Sequence, residues 1–402
     1  MSSKSKRQHP VSTAAISLPQ VEDSSTLTSI SHFSPNADLF ALLSLAVDKH
    51  RLRIFDAVTG GALTEYIVDT ARVTSFSWVS LDLTSNGTRK DASPTKKRKK
   101  TAALVSNTPP TKTQLVCLGL SNGSLTLYSP THARVLRTLS HPSSLTAVLA
   151  TSGGTQPSHV WSTSTDGIVR LWNAARNELL GSWKSERNVP YSSLACRPGH
   201  NQETETELLV ANHSMRLLPF PSSTSSISEP AKIGDGVSFT GHASAVTELH
   251  WDHSQPSCFI SIAEMDRVIN VWRVPDPPSK QGILVANVPL DAVVRHASLT
   301  SANVSTLLTI STSGKLALFK LPSSSTSTSK VVTLSPCSTI HASSKKDEMV
   351  RIIAATFVPH ENGQLRIAHL IGGVKPVFED VVRPSFPQLI LIPIRSHIPA
   401  LS

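Results

Sequence analysis

The sequence predicts an all-β chain folded as a single ring of seven four-stranded blades, and three observations carry that prediction. A turn followed by alternating apolar residues recurs seven times, each copy closes on one bulky apolar residue, and the copies are spaced by about one blade. A turn leading into alternating apolar positions is a hairpin signal. A repeat of about 40–45 residues, built of four strands, is the signature of a β-propeller.

The copies read, in order, D-K-H-R-L-R-I-F-D (48–56), S-N-G-S-L-T-L-Y-S (121–129), T-D-G-I-V-R-L-W-N (165–173), A-N-H-S-M-R-L-L-P (211–219), M-D-R-V-I-N-V-W-R (265–273), T-S-G-K-L-A-L-F-K (312–320) and I-G-G-V-K-P-V-F-E (371–379). The bulky residues are Phe55, Tyr128, Trp172, Leu218, Trp272, Phe319 and Phe378. Where no long loop intervenes, their spacing is 44–47 residues. The longer gaps hold a polar insertion (84–113) and the Ser/Pro-rich stretches 221–230 and 321–329. Loops of this kind are tolerated on one face of a repeat fold. An innermost strand can be read ahead of each copy, at 27–35, 73–78, 145–149, 191–198, 246–251, 293–297 and 352–359. No long stretch has helical periodicity. The reading is therefore a WD40-type propeller over 21–396, with a basic N-terminal tail (1–20), a disordered basic insertion (84–113) in the second blade and a short C-terminal tail (397–402). The stretch 388–395 reads as the last outer strand. Whether A-A-I-S-L (14–18) adds a strand to close the ring is left open.

Charge is concentrated in two segments. The formal net charge is +10. The insertion holds Arg89, Lys90, Lys96, Lys97, Arg98, Lys99, Lys100 and Lys112 against Asp91, and the first ten residues hold Lys4, Lys6 and Arg7. The rest of the chain is neutral. A run such as K-K-R-K-K (96–100) repels itself and stays solvated. It reads as a nuclear-localisation signal that an importin would take, as a phosphate contact for RNA, or as a merely solvated loop. Ser93-Pro94 just before it is a proline-directed phosphorylation pattern. A phosphate there would offset the cations.

The remaining motifs point away from catalysis. G-L-S-N-G (119–123) has the letters of a nucleophile elbow around Ser121, but a strand pattern follows where a helix is required. His250 and His253 lack a third ligand at fitting spacing. Gly314-Lys315 lacks the rest of a phosphate-binding loop. Cys117, Cys196, Cys258 and Cys337 are far apart, as expected for reduced thiols. No signal peptide is visible, and the longest apolar run (39–47) is too short for a bilayer. The expectation is a soluble intracellular protein with no cofactor, no metal, no membrane and no small-molecule substrate. Two sets of residues read as structural: His242, Ser261, Asp266 and Trp272, and one repeat type earlier His141, Ser162, Asp166 and Trp172. In WD40-type blades such a set forms a buried hydrogen-bonded network, which rigidifies when every member is paired.

The order of features resembles one nucleolar family, the U3 small nucleolar RNA-associated WD40 proteins of the transcription-linked UtpA-type subcomplex of the small-subunit processome. The resemblance rests on F-S-P-N (33–36), R-L-R-I-F-D-A-V-T-G (51–60), the K-K-R-K-K insertion leading into L-V-C-L-G-L-S-N-G-S-L-T-L-Y (115–128), T-D-G-I-V-R-L-W-N (165–173), F-T-G-H-A-S-A-V-T-E-L (239–249), D-R-V-I-N-V-W (266–272) and V-K-P-V-F-E (374–379). It covers most of residues 27–382. The basic insertion and the last motif are its more particular parts. It implies a non-catalytic scaffold in the nucleolus. Such a scaffold binds the 5′ external transcribed spacer of pre-ribosomal RNA beside other WD40 subunits, for 18S rRNA maturation and linked rDNA transcription. Members also carry a helical domain after the propeller, and no helical segment is read before Ser402, so the resemblance covers the propeller portion. The alternative is a substrate-receptor or scaffold propeller of a ubiquitin ligase or chromatin complex. Its usual W-D-x-R is matched poorly by W-N-A-A-R (172–176).

Overall fold

The structure is a computed structural model. It describes residues 31–45, 49–82, 112–151, 159–185, 188–198, 205–221, 229–300, 305–312, 314–322, 331–340, 350–358, 364–371, 375–382 and 390–393. The described residues form seven antiparallel sheets whose four main strands follow one another in sequence, the outermost of blades 4 and 6 after a short intervening strand.

Blade 1 is β1 (Ser31–Phe33), β2 (Leu39–Leu45), β3 (His50–Asp56) and β4 (Ala62–Val68). Blade 2 is β5 (Val73–Asp82), β6 (Lys112–Leu120), β7 (Ser124–Ser129) and β8 (Arg134–Ser140), and blade 3 is β9 (Leu145–Ala150), β10 (His159–Ser164), β11 (Ile168–Asn173) and β12 (Glu178–Lys184). Blade 4 is β13 (Ser193–Cys196), β14 (Glu205–Ala211), β15 (Met215–Pro221) and, after a short β16 (Ala231–Lys232), β17 (Val237–Phe239). Blade 5 is β18 (Val246–Trp251), β19 (Cys258–Ala263), β20 (Val268–Arg273) and β21 (Ile283–Pro289). Blade 6 is β22 (Val294–Thr300), β23 (Thr306–Ser311), β24 (Leu316–Lys320) and, after β25 (Val332–Thr333), β26 (Ser338–Ile340). Blade 7 is β27 (Val350–Phe357), β28 (Leu365–Ile371), β29 (Lys375–Val382) and β30 (Ile390–Pro393).

The repeated motif is the hairpin that enters the third strand. In blades 2 and 3 its turn is built the same way. The Asn122 and Asp166 side chains accept the backbone N–H two residues on, from Ser124 and Ile168, both at 3.0 Å. The next residue, Gly123 or Gly167, has φ of +85° or +75°, a conformation that glycine adopts without steric cost. The bulky residue ending each motif sits opposite the second strand, as in Phe40↔Phe55, Val116↔Tyr128 and Phe259↔Trp272. In blades 1, 2, 3 and 5 the register between third and fourth strands shifts at that residue. Such a bulge bends the outer strand and increases its twist.

The apolar core is divided rather than central. Seven buried clusters each lie between two neighbouring blades. A blade is apolar on both faces, so it is stable only against two neighbours, and a closed ring supplies them. The closing seam lies between blades 7 and 1. There Phe40, Phe55 and Phe378 pack together, with Phe33 against them. Ser31 Oγ donates to the Ile353 carbonyl at 3.2 Å. Arg366 pairs with both carboxylate oxygens of Asp380 and donates to the Ala37 carbonyl.

The outer rim differs from the plain loops expected at 221–230 and 321–329. The strands β16 and β25, just beyond those stretches, lie parallel along the outer edges of blades 3 and 5. Between them, Ser238 of β17 is bridged by Gln281 of the blade 5 connector. The second blade also departs slightly from expectation. Its innermost strand runs to Asp82, and Lys112 and Thr113, read as the end of the insertion, already belong to β6 and pair with Asp82 and Leu81. Both tails, the stretch 14–18 and the rest of the insertion lie outside the described residues.

Candidate functional site

In blade 5 the four predicted residues come together as one chain of hydrogen bonds. Trp272 Nε1 donates to Ser261 Oγ at 2.7 Å. Ser261 Oγ lies 2.6 Å from His242 Nε2, and His242 Nδ1 lies 2.8 Å from Asp266 Oδ2. One proton arrangement satisfies all of it: indole to hydroxyl, hydroxyl to imidazole, imidazole to carboxylate. Burial alone would push the Asp266 carboxyl up, but bonds from His242, Ser244 and the Ala243 amide outweigh it and hold the group below the usual carboxylate range. The network ties the loop ahead of the blade to the second and third strands.

In blade 3 three of the four predicted residues meet and the fourth does not. Trp172 Nε1 is shared between His141 Nε2 (3.1 Å) and Ser162 Oγ (3.2 Å), which are themselves 2.8 Å apart. His141 Nδ1 bonds to the Gly123 carbonyl of blade 2 at 3.2 Å rather than to Asp166. Asp166 turns to Ser164 (2.6 Å) and to Arg170 (3.0 Å). The expected four-residue copy is therefore corrected. The reason is local: Arg170 and Ser164 stand where blade 5 has Asn270 and Ala263, so a cation and a hydroxyl capture the carboxylate first. Without a carboxylate partner, buried His141 has its pKa lowered to about 4, by burial first and then by the Arg170 charge.

The polar cluster that sequence reasoning missed lies on the ring axis. His32 comes from β1, Glu248 and His250 from β18, and His296 from β22. The His32 ring meets Phe76 of blade 2 at 5.2 Å and His296 of blade 6 at 5.3 Å, both edge-on. Blade 7 stands between blades 6 and 1 in the ring, so the two histidines meet inside the ring, past blade 7. Glu248 Oε2 accepts from the Ala297 amide at 3.3 Å and lies 3.1 Å from His250 Nε2. The buried His296 Nδ1 is 3.7 Å from the same oxygen. Burial works against the Glu248 charge, yet the His250 and His296 imidazoles hold the carboxyl far below its usual range. The buried His32 is lowered as well, to about 3, by burial first and then by His296. Among the described residues no three His, Cys, Asp or Glu side chains form a metal-binding group. His253 lies exposed in the turn beyond β18, away from His250.

The other candidate residues are placed plainly. Ser121 sits in the β6–β7 hairpin, where its Oγ accepts from the Arg72 amide at 3.1 Å, and a strand follows it. Cys117 and Cys258 are buried, with thiols pushed up by burial, and all four cysteines are free. Lys96, Lys97, Arg98, Lys99, Lys100 and Ser93 lie outside the described residues. Their segment is rooted between Asp82 and Lys112, at the turn joining the innermost strand of blade 2 to the second. Asp82 and Lys112 lie at the same end of their blade as the connections 34–38 and 252–257 do in blades 1 and 5. No described residue belongs to a helix long and apolar enough to cross a membrane.

The fold has a solved counterpart. A chain from a crystal structure of a mitotic checkpoint complex matches with a TM-score of 0.53 and 16% sequence identity, covering 92% of this chain and 98% of that one. The chain is a seven-bladed β-propeller of the WD40 type. At that identity the likeness concerns the fold alone. No family model and no curated protein matches the sequence. A propeller of this type is typically a platform for protein partners, and the counterpart is itself part of a multi-protein complex.

Proposed function

We propose that this propeller is a non-catalytic scaffold in ribosome biogenesis, assembling on nascent pre-ribosomal RNA within the small-subunit processome. The observation that carries the reading is the position of the K-K-R-K-K tract (96–100). It is held in an insertion rooted beside the axis of blade 2, on a body that is otherwise neutral. Clustered cations gain affinity for RNA phosphates by releasing counterions, with no need to read bases. The same tract gives an importin its target and so accounts for a nuclear and nucleolar location. Ser93 is the regulatory position, since its phosphate would lower the local positive charge. The partners are other WD40 subunits of a UtpA-type assembly and the 5′ external transcribed spacer. Contacts come from blade surfaces, and the buried networks of blades 3 and 5 keep those surfaces rigid.

The test is affinity purification of the tagged chain from nuclear extract, with and without ribonuclease. Pre-ribosomal 5′ spacer RNA and ribosome-assembly WD40 subunits are expected. Replacing Lys96–Lys100 by alanine should weaken RNA recovery and flatten its salt dependence, by about 0.7 in the log–log slope for each phosphate no longer neutralised. Ubiquitin-ligase adaptors or chromatin subunits without pre-ribosomal RNA would overturn the reading.

A further inference from the structure

Two neighbouring turns at the outer edge of the ring are built alike. In blade 2, between β7 and β8, the His132 amide donates to Ser129 Oγ at 3.2 Å, and Ala133 follows with φ of +50°. In blade 3, between β11 and β12, the Arg176 amide donates to Asn173 Oδ1 at 3.0 Å, and Asn177 follows with φ of +59°. A side-chain acceptor three residues back holds each turn in one shape. Arg176 is exposed at its turn, and Arg134 is exposed where the other turn enters β8. Further along β8, half-buried Arg137 stands opposite Leu127, while Arg134 stands opposite Ser129. Cross-strand partners share a face, and Leu127 is buried in the cluster between blades 2 and 3. Arg134 and Arg137 therefore lie on the blade 2 face that looks toward blade 3. Ala174, two residues before Arg176, is buried in that same cluster. All three arginines border one seam.

Charge and surface chemistry say what this seam suits. Arg51, Arg53, Arg170, Arg197 and Arg366 each have a carboxylate partner, whereas Arg134, Arg137 and Arg176 have none among the described residues. From 114 to 185 the sequence holds two acids, Asp166 and Glu178. Arg170 takes Asp166. Glu178 pairs with Asn173, on the opposite face of β12 from Leu179, which packs into the seam. Every Phe, Tyr and Trp of blades 2 and 3 is buried, and among their described residues no large apolar side chain is exposed. The core of a protein interface is apolar and aromatic, while a nucleic-acid interface is polar and positive. The Asp82–Lys112 pair, where the basic insertion is rooted, lies at the same end of blade 2 as the β7–β8 turn, because antiparallel strands return to one end at every second connection.

We infer that Arg134, Arg137 and Arg176 form an RNA contact on the propeller body, which takes the phosphate backbone along the seam between blades 2 and 3. A guanidinium offers a fork of N–H donors to two phosphate oxygens at once. With no exposed Phe, Tyr or Trp beside them for bases to stack on, the arginines hold the backbone and do not read sequence. This contact rests on the RNA reading above, and its residues are distinct from the 96–100 tract.

The probe is a fluorescein-labelled polyuridine of about 20 nucleotides, titrated with the full chain by fluorescence anisotropy at several salt concentrations. R134Q/R137Q/R176Q should bind about tenfold more weakly and lower the log–log salt slope by about 2, roughly 0.7 for each of three phosphates. R134K/R137K/R176K should keep the slope. The same loss should appear in a chain with Lys96–Lys100 replaced by alanine. K232Q/R267Q/K320Q removes three exposed charges elsewhere and should bind like the parent. All variants should melt like the parent; if the half-buried Arg137 proves necessary for folding, R134Q/R176Q carries the test, with a slope change of about 1.4. Equal weakening by K232Q/R267Q/K320Q overturns the inference, because the chain would then sense total charge alone. So does polyglutamate that binds the parent and not R134Q/R137Q/R176Q while RNA binding is unchanged, since the occupant would then be an acidic protein. If R134Q/R137Q/R176Q binds RNA like the parent while alanine at Lys96–Lys100 weakens it, this contact falls and the proposed function stands. A parent chain that binds no RNA removes both.

Discussion

Arg366 Nη1 donates to the Ala37 carbonyl at 2.8 Å, joining two residues 329 positions apart in the chain. The same guanidinium holds both oxygens of Asp380, at 2.8 and 3.1 Å. Arg366 is 8% exposed, so this is a charge pair taken out of water at the seam where the ring closes. Breaking one half of such a pair costs more than the pair itself is worth, because it strands the other charge.

Replacing Arg366 by methionine should therefore lower stability by about 2–4 kcal/mol in chemical denaturation. R366M/D380L should recover part of the loss, since no lone carboxylate is then buried. A loss under about 0.5 kcal/mol for R366M would mean the seam is held by its phenylalanines alone.

The two blade networks should differ in a double-mutant cycle. For His242 and Asp266, directly bonded at 2.8 Å, a coupling of about 1–3 kcal/mol is expected from H242A, D266A and the pair. For His141 and Asp166, where Arg170 has taken the carboxylate, the coupling should lie within about 0.5 kcal/mol of zero. Equal couplings would contradict the geometry.

Acid should destabilise the fold well before its carboxylates titrate. An unfolded histidine protonates near pH 6.5, whereas folded His32 waits until about 3 and His141 until about 4. Between those limits the unfolded chain binds protons that the folded chain refuses. The contribution of these groups is therefore complete above the unfolded value and falls as pH drops toward 4. At pH 5 the loss is roughly 2 kcal/mol for each histidine. H32Q and H141Q should flatten the slope of unfolding free energy between pH 7 and 5, each by about that amount. Asp266 and Glu248, held below their usual range, add their loss at lower pH.

Gly167→Ala and Gly60→Ala separate two costs. Both glycines have positive φ, +75° and +71°. A Cβ on Gly167 would come within 2.6 Å of the Asn188 backbone, while one on Gly60 would have 3.9 Å to its nearest neighbour. G60A should cost about 1 kcal/mol from backbone conformation alone, and G167A measurably more, read as midpoints of denaturant unfolding.

The ring was legible in the sequence because its strands are local. Each innermost strand begins close to where its alternation starts, and Phe55, Tyr128, Trp172 and Trp272 mark the bulges as well as the blades. What escaped was non-local. His32 and His296 meet although 264 positions separate them in the chain, and no spacing rule connects them. The rim strands β16 and β25 have two residues each, too few for alternation to be seen. The diversion of Asp166 was readable after all. Ser164 and Arg170 stand beside it in the chain, and the likeness between blades 3 and 5 hid the difference at those two positions.

That the four main strands of each of the seven blades come from one stretch of chain bears on how the molecule comes into being. A chain leaving the ribosome can pair each meander as soon as it emerges, with the ladders inside a meander short in sequence. The seam that holds the Arg366–Ala37 and Ser31–Ile353 bonds is the exception. It joins the first blade made to the last, so for most of synthesis blade 1 waits with the Phe40 and Phe55 face uncovered. That waiting face is the place where a chaperone would find its grip.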